Sequence, residues 1–113
     1  MAVKNEGEPF TRIDVREAKE MIDAGGVQVI DSRELHEHAD GHVPGSLNIQ
    51  HMATLAQADK LSKDEPILFI CKSGQRSAVA AEFAASLGLT DLFNVEGGHD
   101  DWAAAGYPME QAD

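Results

Sequence analysis

Cys71 is the only cysteine of this chain, and Lys72-Ser73-Gly74-Gln75-Arg76-Ser77 follows it directly. A thiol followed by small, flexible and basic residues has the parts of an activated nucleophile. The thiolate is the form that attacks, and nearby positive charge or a helix N-terminus favours it. Gly74 lets the backbone turn left-handed at little cost, so several N–H groups can face one point. The guanidinium of Arg76 suits paired donation to an anion, whereas Lys72 offers a point charge. Ser73, Gln75 and Ser77 contribute through their backbone amides. Ser77 adds a hydroxyl if it lies in the first turn of a helix. The chemistry these residues could do is to hold negative charge on sulfur, or on an anion delivered to it. A lone cysteine after an apolar run is otherwise commonly buried and inert. Here the loop that follows makes the difference.

Such a loop needs a strand to lead into it and a helix to lead out. Pro66 to Ile70 is a short apolar run, and Arg76 to Leu87 is alanine-rich with Gly88 as its stop. The same alternation runs through the chain. Phe10 to Ile13 predicts a short strand. Asp14-Val15-Arg16-Glu17 has the spacing of a capping box, and a helix follows to about Ala24, ended by Gly25-Gly26. Val27 to Asp31 predicts a strand and Glu34 to Ala39 a helical turn. Leu47 to Ile49 predicts a strand, Met52 to Ala58 a helix, Leu92 to Val95 a strand and His99 to Ala105 a helix. Strands alternating with helices imply parallel pairing in an α/β domain. Ligands of open α/β sheets bind beyond the carboxyl ends of the strands, where Cys71 and Asp31-Ser32-Arg33 both fall. Asp31 and Arg33 read as a structural ion pair at that edge.

At 113 residues, with 42% apolar residues, the chain fits one domain with one modest core. Residues 10–109 are expected to form it, with a flexible segment 1–9 before and a short tail 110–113 after. The balance of 9 basic and 20 acidic side chains gives a formal net charge of -11, which argues against nucleic acid and anionic membranes as partners. A single cysteine excludes an internal disulfide and an internal resolving thiol. No run reaches the ~18 apolar residues of a membrane span, and the N-terminus lacks an apolar signal core. A cytoplasmic protein is expected. His36, His38 and His42 raise a metal question, but residues two apart on a helix diverge and catalytic zinc usually takes three converging protein ligands. No metal site is expected.

Four stretches resemble rhodanese-type sulfurtransferases, in the same order. They are Val29-Ile30-Asp31-Ser32-Arg33, then Gly41-His42-Val43-Pro44-Gly45-Ser46-Leu47-Asn48-Ile49, then the loop Cys71 to Ser77, then Val95-Glu96-Gly97-Gly98 with Trp102 and Ala105-Gly106-Tyr107-Pro108. The resemblance covers about residues 11 to 109. It implies a three-layer α/β domain with a mostly parallel central sheet and helices on both faces. It implies sulfur transfer from a small anionic donor such as thiosulfate, through a persulfide on Cys71, to cyanide or a thiol, including a protein thiol. No cofactor is implied. One alternative is a sulfur-carrier or protein-interaction module without turnover. Another is a cysteine-based phosphatase or arsenate reductase, whose related loops place five residues between cysteine and arginine. Only four separate Cys71 from Arg76.

Overall fold

The computed structural model describes residues 2–112. Met1 and Asp113, at the tips of the segments expected to be loose, lie outside the described residues. Five strands form one parallel sheet: β1 (Thr11–Ile13), β2 (Gln28–Asp31), β3 (Leu47–Asn48), β4 (Ile67–Ile70) and β5 (Leu92–Val95), in the spatial order β1-β5-β4-β2-β3. Three helices lie between successive strands, α1 (Val15–Ala24), α2 (Leu35–Asp40) and α3 (Gln75–Ser86), and α4 (Gly98–Ala104) follows β5.

Strand β4 lies at the centre of the sheet, and all four of its residues are buried. Alternation along it supplies both faces. Ile67 and Phe69 join Phe10, Ile30, Ile49 and Leu92 under α3, which contributes Ala80, Ala81 and Ala84. Leu68 and Ile70 join Ile13, Val29 and Val95 on the opposite face, under Ala18 of α1 and Trp102 of α4. The result is three layers, as expected. In α3 the buried positions Ser77, Ala80, Ala81 and Ala84 follow helical spacing. Their small size brings this helix close to the sheet.

The capping box of α1 is present: Glu17 N–H donates to Asp14 Oδ1 at 2.8 Å, and Asp14 N–H to Glu17 Oε1 at 3.0 Å. One expected helix is not formed. Met52 to Ala58 contains only two short 3-10 turns, His51–Ala53 and Ala58–Lys60. Met52 and Leu55 are exposed there and only the small Ala53 packs against the core, which is too little apolar burial to hold so short a helix. At the ends, Val3 pairs with Arg12 through two backbone hydrogen bonds, and Glu110 pairs in the same way with His42.

Candidate active site

Ile70 ends the central strand, and the chain leaves the sheet through Cys71. Gly74 then takes φ 108°, in the left-handed region that disfavours a side chain, and Gln75 begins α3. The turn folds back over the sulfur. Gly74 N–H donates to Cys71 Sγ at 3.1 Å, and the Ser77 hydroxyl lies 3.3 Å from it. Cys71 itself is 1% exposed. Burial pushes the thiol pKa up. The Ser77 hydroxyl and the N–H groups of Ser77, Gly74 and Ser73 outweigh it and hold the thiol below its ordinary value. Lys72, Ser73 and Gln75 are exposed on the outer rim.

The two cations of the loop already have partners. Arg76 grips Glu37 of α2 with both nitrogens, at 2.7 and 3.0 Å. This guanidinium holds the Glu37 carboxyl down at about 2. Lys72 Nζ lies 2.9 Å from Asp100, an exposed pair worth little by itself. An anionic ligand therefore competes with carboxylates for both.

Asp31 and Arg33 lie one strand away, at the end of β2. Asp31 is fully buried, yet its pKa lies below the usual carboxylate value. Burial pushes it up, and the Arg33 and His38 hydrogen bonds with the nearby cationic charge pull it down further. Arg33 donates to it from Nε and Nη2, and His38 Nδ1 lies 2.8 Å from its Oδ2. His38 stacks on His42, with ring centroids 3.7 Å apart, and His36 is exposed. Among the described residues, no three His, Cys, Asp or Glu side chains converge as a metal site.

Three residues that the sequence reading left aside join this region. Glu37 is the first. The second is Asn94 of β5, fully buried, whose Oδ1 lies 2.5 Å from the Ser77 hydroxyl. The third is His99, whose Nδ1 donates to the Cys71 carbonyl at 2.9 Å while its Nε2 accepts from Val43 N–H at 3.3 Å. For Asn94 the available signal was a polar residue inside an apolar strand, since buried polar groups must be partnered; His99, within the polar run Gly97 to Asp101, carried none.

Burial, first, and the Arg33 charge hold the His99 pKa below its usual value, against the pull of Asp31. A neutral ring is also what its partners require, since Nε2 must accept. The unfolded chain takes up a proton near pH ~6.5 and the folded chain does not. Stability is therefore expected to fall as the pH drops through about 6.5 toward the lower folded value. Urea unfolding at about pH 7.5 and about pH 5.5 reads this, and His99→Gln should flatten the difference. An unchanged pH dependence in that variant would remove His99 as its source.

The comparisons with known proteins agree with this architecture. The rhodanese-like domain family matches over residues 14–105. A thiosulfate sulfurtransferase, GlpE of Actinobacillus pleuropneumoniae serotype 7, is 30% identical over 105 residues, covering 93% of this chain and 97% of its own. The crystal structure of a rhodanese-related protein from Thermoplasma volcanium is 34% identical and superposes with a TM-score of 0.81, covering 89% of this chain and 98% of its own. A protein of unknown function from Rhodopseudomonas palustris, named a possible tyrosine phosphatase, is 30% identical with a TM-score of 0.79, covering 88% of this chain and 83% of its own. With this match across most of its length, the chain belongs to the family of rhodanese-like domains.

Proposed function

We propose that this protein is a sulfurtransferase that carries sulfane sulfur on Cys71. The observation that carries the reading is the sulfur's position: 1% exposed, yet ringed by hydrogen-bond donors. A slim terminal atom can reach such a sulfur more readily than a centre enclosed by oxygens. The outer sulfur of thiosulfate is terminal, whereas the phosphorus of a phosphate ester is surrounded by four oxygens. The short spacing between Cys71 and Arg76 also weighs against the phosphatase reading.

In the first step the Cys71 thiolate attacks the outer sulfur of the donor. A new S–S bond forms, the old one breaks, and sulfite leaves with the electron pair. The persulfide charge then lies on the outer sulfur, within reach of the loop amides from Lys72 to Ser77. In the second step an external nucleophile, cyanide or a thiolate, takes that sulfur and Cys71 leaves as the thiolate. Two half-reactions imply ping-pong kinetics. Lys72 and Arg76 would meet an anionic donor by exchanging their carboxylate partners. Asp31 and Arg33 hold the neighbouring loop in place. Residues 10–109 form the working unit, and a free thiol suits a reducing, cytoplasmic setting. The formal charge of -11 makes a protein acceptor, if one is used, more favourable when basic.

Incubation of the reduced protein with thiosulfate, followed by intact-mass measurement, tests this. The expected result is a gain of one sulfur atom, reversed by cyanide and missing in Cys71→Ser. No gain in a folded protein with a free thiol, together with hydrolysis of an aryl phosphate, would replace sulfur transfer by phosphatase chemistry. Transfer to a protein thiol without small-molecule turnover would make the chain a carrier.

A further inference from the structure

The hydroxyl of Ser77 has one proton and two claimants. Its oxygen lies 2.5 Å from Asn94 Oδ1 and 3.3 Å from Cys71 Sγ. The Asn94 amide has no freedom to turn over. Its Nδ2 donates to the Gly74 carbonyl at 3.1 Å and to the Glu96 carboxylate, and both of these only accept. Oδ1 therefore faces Ser77 as an acceptor. Ser77 and Asn94 are fully buried, so solvent does not replace a missing partner. With Cys71 as a thiol, every group is satisfied: Ser77 donates to Asn94, and the S–H donates to the Ser77 oxygen. With Cys71 as a thiolate, the sulfur has no proton to give and draws the Ser77 proton toward itself. Asn94 Oδ1 is then a buried acceptor without a donor, which is unfavourable.

We propose that Asn94 is a positioning residue that competes with the Cys71 sulfur for the Ser77 proton and so keeps the thiolate from being over-stabilised. The consequence is kinetic, because a thiolate loses intrinsic nucleophilicity as it becomes less basic. The pair also supplies a donor that follows the charge. The hydroxyl turns to Sγ when Cys71 is a thiolate, and back to Asn94 once the charge has moved to the outer sulfur of a persulfide. That second consequence rests on the sulfur-transfer reading; the competition for the proton does not.

Other charges face this cluster from the surrounding elements. Arg76, paired with Glu37 of α2, carries positive charge that Cys71 feels, and Lys72 lies on the exposed rim, paired with Asp100 of α4. Asp31 at the end of β2 and neutral His99 lie behind the loop. Glu96, the only one of these that Asn94 touches, is also tied to Arg12 at 2.8 Å.

The pH dependence of Cys71 alkylation by iodoacetamide reads the ionisation without any sulfur donor. Asn94→Leu should lower the thiol pKa by about half a unit to one unit. It should also lower the limiting rate above that pKa about two- to threefold. In a Ser77→Ala background the same substitution should produce neither change. An upward shift, no shift, or a shift that survives without the Ser77 hydroxyl would overturn the proposal. Asn94→Ala also removes Oδ1 and carries the same expectations if the leucine variant does not fold. Failure of the persulfide experiment with this alkylation cycle intact would count against sulfur transfer and leave the Asn94 competition standing.

Discussion

Cys71→Ser is expected to lower thiosulfate-to-cyanide turnover by at least about 1,000-fold, while the protein remains folded. The chemical half of this expectation follows from the chain having one cysteine. No second thiol can take over the sulfur, and a serine hydroxyl neither ionises near neutral pH nor forms a persulfide. The structural half follows from the surroundings. The serine oxygen can accept from the Gly74 N–H and exchange a hydrogen bond with Ser77, as the sulfur does now. Only the smaller size of oxygen is felt, at a cost of about 1 kcal/mol. Cys71→Ala would behave differently, because it leaves the buried Gly74 N–H unpaired, at about 1–3 kcal/mol. Steady-state kinetics with thermal unfolding of both variants separates the two effects. Turnover retained in folded Cys71→Ser would place the sulfur-accepting group elsewhere.

The parts of this protein that were legible in its sequence are those set by short-range pattern. Ile67 to Ile70 is an apolar run too short for a helix and followed by a glycine-containing loop, so a buried strand was its natural reading. The capping box was visible because its two members are three residues apart. Gly74 announced a left-handed turn, and the structure has one. The exception at Met52 to Ala58 is instructive, because composition favoured a helix, but Met52 and Leu55 stay exposed and only Ala53 packs against the core. What sequence did not reveal was the set of partners. Arg76 reads as a free anion clamp until α2 brings Glu37 to it across 39 positions. Asn94 reads as an ordinary strand residue until the parallel pairing of β4 with β5 places it beside Ser77. Loop chemistry was thus local, and the tuning of that chemistry was not.

Gly98→Ala shows how far the sulfur depends on such a distant contact, and it is expected to damage both stability and reactivity. Gly98 begins α4 at φ 53°, and a Cβ built on it would lie 2.3 Å from the Cys71 carbonyl oxygen and 2.6 Å from the carbonyl carbon and oxygen of Lys72. These are backbone atoms, so no side chain can rotate away. The same stretch is held by His99 N–H on the Cys71 carbonyl at 2.8 Å and Asp100 N–H on the Lys72 carbonyl at 3.0 Å. A methyl group at this point must push α4 off the loop or push the loop off its sulfur. Overpacking and left-handed strain together give about 2–5 kcal/mol, a fall in Tm of roughly 10 °C or more. A displacement of about 1 Å at the nucleophile would lower transfer by about 100-fold. Gly106→Ala is the control, because Gly106 has φ 76° with open space around its Cβ position. It carries the strain without the clash, at about 1–3 kcal/mol, and should leave transfer unchanged. If Gly98→Ala matched Gly106→Ala in both Tm and rate, the packing of α4 against the loop would have no part in holding Cys71.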